Sequence, residues 1–273
     1  MIVRCETIGA QAPVRGADGE ASPLYVICSP SRRVGKTLLA RLLAEHYIAD
    51  ARPVLVFDLA DEEPRLADFL TDHVRIAKIG DLRGQMRLFD GLIESNTVPK
   101  VIDVSDREFA KFFEVAETIG LFQEVRRRSV EPLILFPIDP SPRAEKAYGQ
   151  LRQRFVGTSL IPVRNLLVAK GLPYGASFPH ASTLAVSLEI PVLGPAAKAL
   201  IDRERFSFAK LSNAPRPPNL SIRSDDELRA WWRRIRLQFR EIQLCLMRRQ
   251  ILTALQQKPR STELSLRFDT ASF

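Results

Sequence analysis

The stretch that most constrains this chain is residues 25–37, Tyr-Val-Ile-Cys-Ser-Pro-Ser-Arg-Arg-Val-Gly-Lys-Thr. Its first four residues are aromatic, β-branched or otherwise apolar and predict a buried strand. Leu38, Leu39, Leu42, Leu43, His46 and Tyr47 then recur at helical spacing, so the order is strand, loop, helix. Gly35-Lys36-Thr37 closes the loop in the manner of a phosphate-binding loop. In that chemistry backbone N–H groups at a helix N-terminus cradle phosphates, the lysine neutralises them and the threonine hydroxyl ligates Mg²⁺. The full pattern opens on glycine, where this chain has Pro30. A bare Gly-Lys-Thr also fits an ordinary turn, but the flanking strand and helix favour phosphate.

Downstream, apolar runs alternate with helical patterns. Strands are expected over 53–57, 74–79, 98–104, 131–138, 160–168 and 190–193. Helices are expected near 63–71, 82–94, 107–120 and 142–155, then a short one after the Gly/Pro-rich loop 171–179, and another from Ala196. This alternation predicts an α/β fold: a doubly wound, mainly parallel sheet with helices on both faces. Ligands of such sheets bind at the carboxyl ends of the strands. Asp58, Asp103 and Asp139 stand at such ends.

Residues 1–22 are rich in Gly, Ala and Pro and read as a loose arm, which leaves 23–212 as the main domain. Residues 213–223, with Asn213-Ala-Pro-Arg-Pro-Pro-Asn219, read as a linker. Ser224-Asp-Asp-Glu227 has the form of a capping box, so an amphipathic helix is expected over 224–258, with a polar tail over 259–273. Leu228, Trp232, Ile235, Phe239, Ile242 and Leu246 form a seam along it at alternating spacings of four and three. Three partners suit that seam: the helix's own domain, a dimer or partner-protein helix, or a membrane surface, for which Trp231 and Trp232 beside arginines are apt.

The composition, 45% hydrophobic and 26% charged, can bury a large core. No apolar run approaches the ~20 residues of a membrane helix. The first residues lack a leader's charged and apolar regions, so a cytoplasmic location is expected. Cys5, Cys28 and Cys245, like His46, His73 and His180, are scattered, which argues against a disulfide framework or a zinc site. Net charge is +8, and residues 221–260 hold ten Lys/Arg against four Asp/Glu. Such a basic tail can meet nucleic acid, anionic lipid or an acidic protein. No helix-turn-helix pattern is present, so any DNA binding is expected to be non-specific and salt-sensitive.

Asp103 ends Val101-Ile-Asp, the form of a Walker B strand whose carboxylate reaches Mg²⁺. Asp139 suits the cap of the helix that Pro142 begins. Asn165 falls where a nucleotide's base edge could be read, or where a loop needs a hydrogen bond. From about Tyr25 to Lys210 the chain resembles the ParA/MinD family of P-loop ATPases of the SIMIBI class. The likeness rests on Val34-Gly-Lys-Thr37, the strand ending in Asp58, Asp61-Glu-Glu-Pro64, Val101-Ile-Asp-Val-Ser105, Phe136-Pro-Ile-Asp-Pro140 and Ile190-Pro-Val-Leu-Gly-Pro195, in that order. The resemblance implies a homodimer closed face to face over two ATP·Mg²⁺, used as a switch to position DNA, proteins or membrane-bound cargo. It implies nucleotide contacts from Ser31, Arg32, Arg33, Val34, Gly35, Lys36, Thr37 and Leu38, and metal contacts from Thr37, Asp58 and Asp103.

Two departures bear on catalysis. The family's loop begins Lys-Gly-Gly, and its lysine reaches the partner's nucleotide; here those positions are Ser31, Arg32 and Arg33. The family's second strand ends Asp-x-Asp, whose second aspartate orients the attacking water; here the residues are Asp58-Leu59-Ala60, with Asp61 one position late. Phosphoryl transfer depends on positioning and charge neutralisation, so binding with slow hydrolysis is expected, with Asp58 and Asp61 as the remaining catalytic candidates. Arg32 and Arg33 either replace the missing lysine's charge or occupy a solvent-exposed loop. The alternatives are a non-catalytic scaffold that binds a partner through its C-terminal helix, and an ATP-dependent enzyme like dethiobiotin synthetase. The latter also has Gly-Lys-Thr without the extra lysine, but no basic site for its substrate is evident.

Overall fold

Leu24, Tyr25, Val26, Ile27 and Cys28 are almost wholly buried because their strand lies in the middle of the sheet. The computed structural model describes residues 22–59, 65–93, 97–169, 172, 178–179, 184, 186–204, 206–211 and 213–257. In chain order the elements begin with β1 Ser22–Cys28, α1 Lys36–Ala49, β2 Leu55–Asp58, α2 Arg65–Phe69, β3 Val74–Ile76, α3 Leu82–Ile93 and β4 Lys100–Val104. They continue with α4 Phe109–Thr118, α5 Leu121–Arg127, β5 Val130–Pro137, α6 Pro142–Arg154 and β6 Ser159–Asn165. The last are β7 Leu188–Ile190, α7 Pro195–Ile201, α8 Phe208–Leu211 and α9 Ile222–Gln257. The strands form one seven-stranded sheet in the order β3-β2-β4-β1-β5-β6-β7, and every pairing is parallel.

Alternation along each strand divides the core in two. Tyr25, Ile27, Val56, Val101, Leu133, Leu135, Ile161 and Val163 face α1, α2, α7, α8 and α9. Leu24, Val26, Phe57, Ile102, Ile134, Phe136 and Leu160 face α3, α4, α5 and α6. The fold is therefore doubly wound, as the alternation of strands and helices predicts.

The structure moves several boundaries. The helix read over 107–120 stops at Thr118, because Gly120 takes a left-handed conformation (φ 64°) and a further helix, α5, starts at once. The capping box read at Ser224 is not the cap. The helix starts at Ile222, and Ser221 Oγ accepts the Ser224 N–H at 3.1 Å. Glu227 instead accepts the Gly194 N–H at 2.8 Å at the start of α7. Strand β7 lies two residues before the predicted start at 190. Ser22, assigned to the arm, opens β1. The rest of the arm, the tail 259–273 and the short helix after 171–179 lie mostly or wholly outside the described residues.

The seam of α9 packs on its own domain. Leu228, Trp232, Ile235, Phe239, Ile242 and Leu246 all belong to the α1-side core. Trp231 and Trp232 are buried too, with Trp231 Nε1 donating to Pro191 O at 2.8 Å, so neither faces a membrane. Among the described residues no helix is long and apolar enough to cross one.

A buried ion pair fastens this C-terminal half to α1. Arg41 Nε donates to Glu45 Oε1 at 3.0 Å, and its Nη atoms donate to Ile201 O and Phe206 O. Glu45 Oε2 accepts from Ser207 Oγ at 2.7 Å and from the Ala209 N–H at 2.9 Å. The Arg41 guanidinium also lies 4.2 Å from the Phe69 ring centroid and 4.9 Å from that of Phe208.

Candidate functional site

Strand parity assembles the site. Val56 and Val101 face α1, so two residues on Asp58 and Asp103 face the same side, at the start of α1. The parallel register sets Asp58 directly beside Asp103, and Asp103 beside Ile27 of β1. Leu135 and Val163 likewise face α1, which aims Asn165 to that side at the end of β6.

Above these residues the loop after β1 turns back into α1. Gly35 caps α1 at φ 98°, a left-handed conformation that side chains disfavour. A Cβ there would lie 2.7 Å from Asn165 Nδ2. Arg33 is also left-handed, at φ 58°. The loop thus keeps a conformation natural to glycine where the sequence supplies arginine, at a cost of about 1 kcal/mol.

Lys36 is largely buried and folds back across the loop, its Nζ donating to Ser31 O at 2.5 Å. Burial lowers its pKa, while Asp103, Asp106 and Asp139 raise it. The Thr37 hydroxyl hydrogen-bonds Asp103. Asp103 Oδ1 is buried with no hydrogen-bond partner. Burial first, then neighbouring Asp58, raises the Asp103 carboxyl to about 7, against the pull of Thr37 and Lys36. Asp58 is buried and accepts the Leu66 N–H through Oδ2 at 3.1 Å. A buried carboxylate oxygen without a partner, next to a threonine hydroxyl and a second carboxylate, is a donor set that suits a hard divalent cation. Among the described residues no three His, Cys, Asp or Glu side chains cluster as a protein-only metal cage. Any such ion would need ligands from elsewhere, such as phosphate and water.

The remaining sequence candidates separate. Ser31 is tied to its surroundings by Oγ···Ser141 Oγ at 3.4 Å and its N–H to Ser29 Oγ at 3.3 Å. Arg32 is exposed and pairs with Asp106 at 3.2 Å, whereas Arg33 is exposed on the loop. Val34 is buried, and Leu38 packs against the α1-side core. Asn165 Nδ2 donates to Val34 O at 3.2 Å, and its Oδ1 accepts the Leu167 N–H at 3.2 Å. The loop hydrogen bond, one of its two sequence readings, is thus present. Asp139 is not the cap of α6; Ser141 is, accepting the Ala144 N–H at 3.2 Å, and Asp139 Oδ1 accepts the Ser141 N–H at 2.9 Å. Asp139 Oδ2 is a second buried carboxylate oxygen without a partner. Ala60 and Asp61 lie outside the described residues.

Sequence reasoning missed Asp106, Ser29 and Ser141. Asp106 carried a signal, since it follows the Val-Ile-Asp strand by three residues; the serines carried none. A cavity of about 380 Å³ lined by Gly149, Arg152, Phe155 and Thr158 lies at the opposite, amino end of β6, away from all of these groups. Compared with known family models and with curated proteins, the chain matches none.

Proposed function

We propose that this chain binds ATP·Mg²⁺ at residues 30–37 and works as a slow nucleotide-dependent switch. One observation carries the reading: a buried lysine is folded across a left-handed, helix-capping loop, beside a threonine–aspartate pair that leaves a carboxylate oxygen unpartnered. The first-turn N–H groups of α1 and the Lys36 ammonium would bind the phosphates. Lys36 would exchange Ser31 O for a phosphate oxygen, trading a hydrogen bond to a neutral carbonyl for a stronger charge-assisted one. Thr37 and Asp103 would hold Mg²⁺, with Asp58 in its outer shell. When bound, the ion offsets phosphate charge. Arg32 and Arg33, on the exposed rim of the loop, add positive potential where an anion approaches.

Slow turnover follows from Ser31 and Ala60, which stand at the positions of the signature lysine and the water-orienting aspartate in the family that the chain resembles. Closure of two copies over the nucleotide belongs to the same reading, and size-exclusion chromatography with and without ATP checks it. The scaffold alternative loses the seam of α9 as its docking surface, because that seam is buried in the chain's own core.

The test is calorimetric titration of the protein with ATP and Mg²⁺, with phosphate release followed on the same samples. Micromolar binding with turnover well below one per minute is the expected result. Absence of binding would make the loop structural, and rapid turnover would defeat the slow-switch reading.

A further inference from the structure

Helix α9 has a second apolar stripe on the side opposite its buried seam. Leu237, Leu244, Ile251 and Leu255 are each more than half exposed, and Met247 is also exposed. At ~100° per residue these five fall within an arc of about 80°, turned roughly 150° from the seam. The first three are spaced by seven, the period of a helix-pairing surface. The seam ends at Leu246, beyond which Ile251, Leu252 and Leu255 are all exposed. From Leu237 to Leu255 the stripe runs about 27 Å.

Basic residues interrupt and border the stripe: at ~100° per residue Arg240 falls within its arc, and Arg248 and Arg234 lie along one edge. From Arg233 onward, beside the stripe, the exposed charged residues of this face are Arg233, Arg234, Arg240 and Arg248, against Glu241. Beside Leu237 a recess of about 200 Å³ opens, lined by Leu211, Trp232, Arg229, Arg233, Arg236 and Arg240. Two acids answer those four arginines: Asp225 pairs with Arg229, and Asp50 pairs with Arg236 and, at 3.7 Å, with Arg240. Arg229 is further used by Leu211 O and Ala214 O.

We propose that this face docks an acidic amphipathic helix from another protein, about five turns long. Its apolar side would lie along Leu237, Leu244, Ile251 and Leu255, and one carboxylate would enter the arginine-lined recess. Charge selects this occupant. A second copy of α9 would bring arginines against arginines across the contact. The chain's own residues 258–273 hold three Lys/Arg and two Asp/Glu, so they also lack the complementary sign. An anionic membrane matches the charge, but arginine lies within the apolar arc, and both tryptophans of α9 are buried. The inference is independent of nucleotide binding.

The test uses a synthetic helical peptide of about three heptads, with leucine at the a and d positions and glutamate at e and g. A lysine-for-glutamate version and vesicles rich in phosphatidylglycerol serve as the other arms. The full chain is expected to bind the glutamate peptide at least tenfold more tightly than the lysine peptide, and less tightly as salt rises. Leu244→Asp and Arg233→Glu, both on exposed side chains, should each weaken binding at least tenfold while the melting temperature holds. Failure to bind the glutamate peptide overturns the proposal, as does indifference to either substitution. Binding to vesicles without binding to the peptide assigns the face to lipid. Self-association lost in Leu244→Asp assigns it to a second copy, and binding that appears only after residues 258–273 are removed assigns it to the chain's own tail; each of these also overturns the proposal.

Discussion

The two ends of α1 bury polar groups in opposite ways. At its C-terminal half, Arg41, Glu45 and His46 are buried and engaged: the guanidinium reaches a carboxylate and two carbonyls, the carboxylate receives a hydroxyl and an N–H, and the imidazole contacts Arg236 and Gln243. At its N-terminal end, Lys36 rests on a lone carbonyl, Asp103 and Asp139 each bury an oxygen with no partner, and Arg33 is held left-handed. A buried polar group with partners holds a fold together, while one without them costs stability. The first end is a fastening. The second keeps strain and desolvation in place, which is what the proposed nucleotide site would put to use.

The largest effect should come from the fastening. Arg41→Ala leaves the Glu45 carboxylate buried without its cation, and a loss of roughly 3–5 kcal/mol is expected in urea unfolding. A loss under about 1 kcal/mol would mean that the pair contributes little. His46 comes next. Burial, with Arg236 and Arg240 nearby and Asp50 opposing them, depresses its pKa to about 4 from an ordinary 6.5. The unfolded chain therefore binds the extra proton first as pH falls. Stability should be level above about pH 6.5 and drop between there and pH 4, by at most roughly 3 kcal/mol from this residue. The same titration on His46→Gln should lack that component.

The smallest effect belongs to the loop. Arg33→Gly removes the left-handed strain and should leave stability unchanged or raise it by up to about 1 kcal/mol. Its ATP affinity is the sharper readout. A fall of severalfold would give the Arg33 charge a part in binding, and no change would leave the residue a conformational tenant of the loop.

The sheet was legible because it depends on period, and with it the position of Asp58 and Asp103 at the carboxyl ends of strands. Apolar strands alternating with helical patterns identified the doubly wound fold, whereas the face on which Asp58 and Asp103 lie, that of Val56 and Val101, came from the structure. Three features were not legible, and each depends on contacts between distant residues. Ser221 displaced Ser224 as the cap because Glu227 found a better use at Gly194, 33 residues away. The amide of Asn165 went to Val34, 131 residues away. Arg41 and Glu45 have only i,i+4 spacing in the sequence, which any exposed pair shares, and the packing of the 201–209 segment over them makes them a buried lock. The alternation of fours and threes in α9 located a seam but not its partner, since own-core and foreign surfaces impose the same spacing.

The most direct measurement is the shift in melting temperature produced by saturating ATP·Mg²⁺ on the wild type, Lys36→Ala and Arg41→Ala. A ligand at a hundred times its Kd adds about 2.7 kcal/mol to the folded state. A clear upward shift is therefore expected for the wild type, and also for Arg41→Ala from its lower baseline. Lys36→Ala should melt within a few degrees of the wild type and show no shift. If Lys36→Ala were stabilised by ATP·Mg²⁺ as strongly as the wild type, or if the wild type did not respond, the N-terminal end of α1 would not be a nucleotide site.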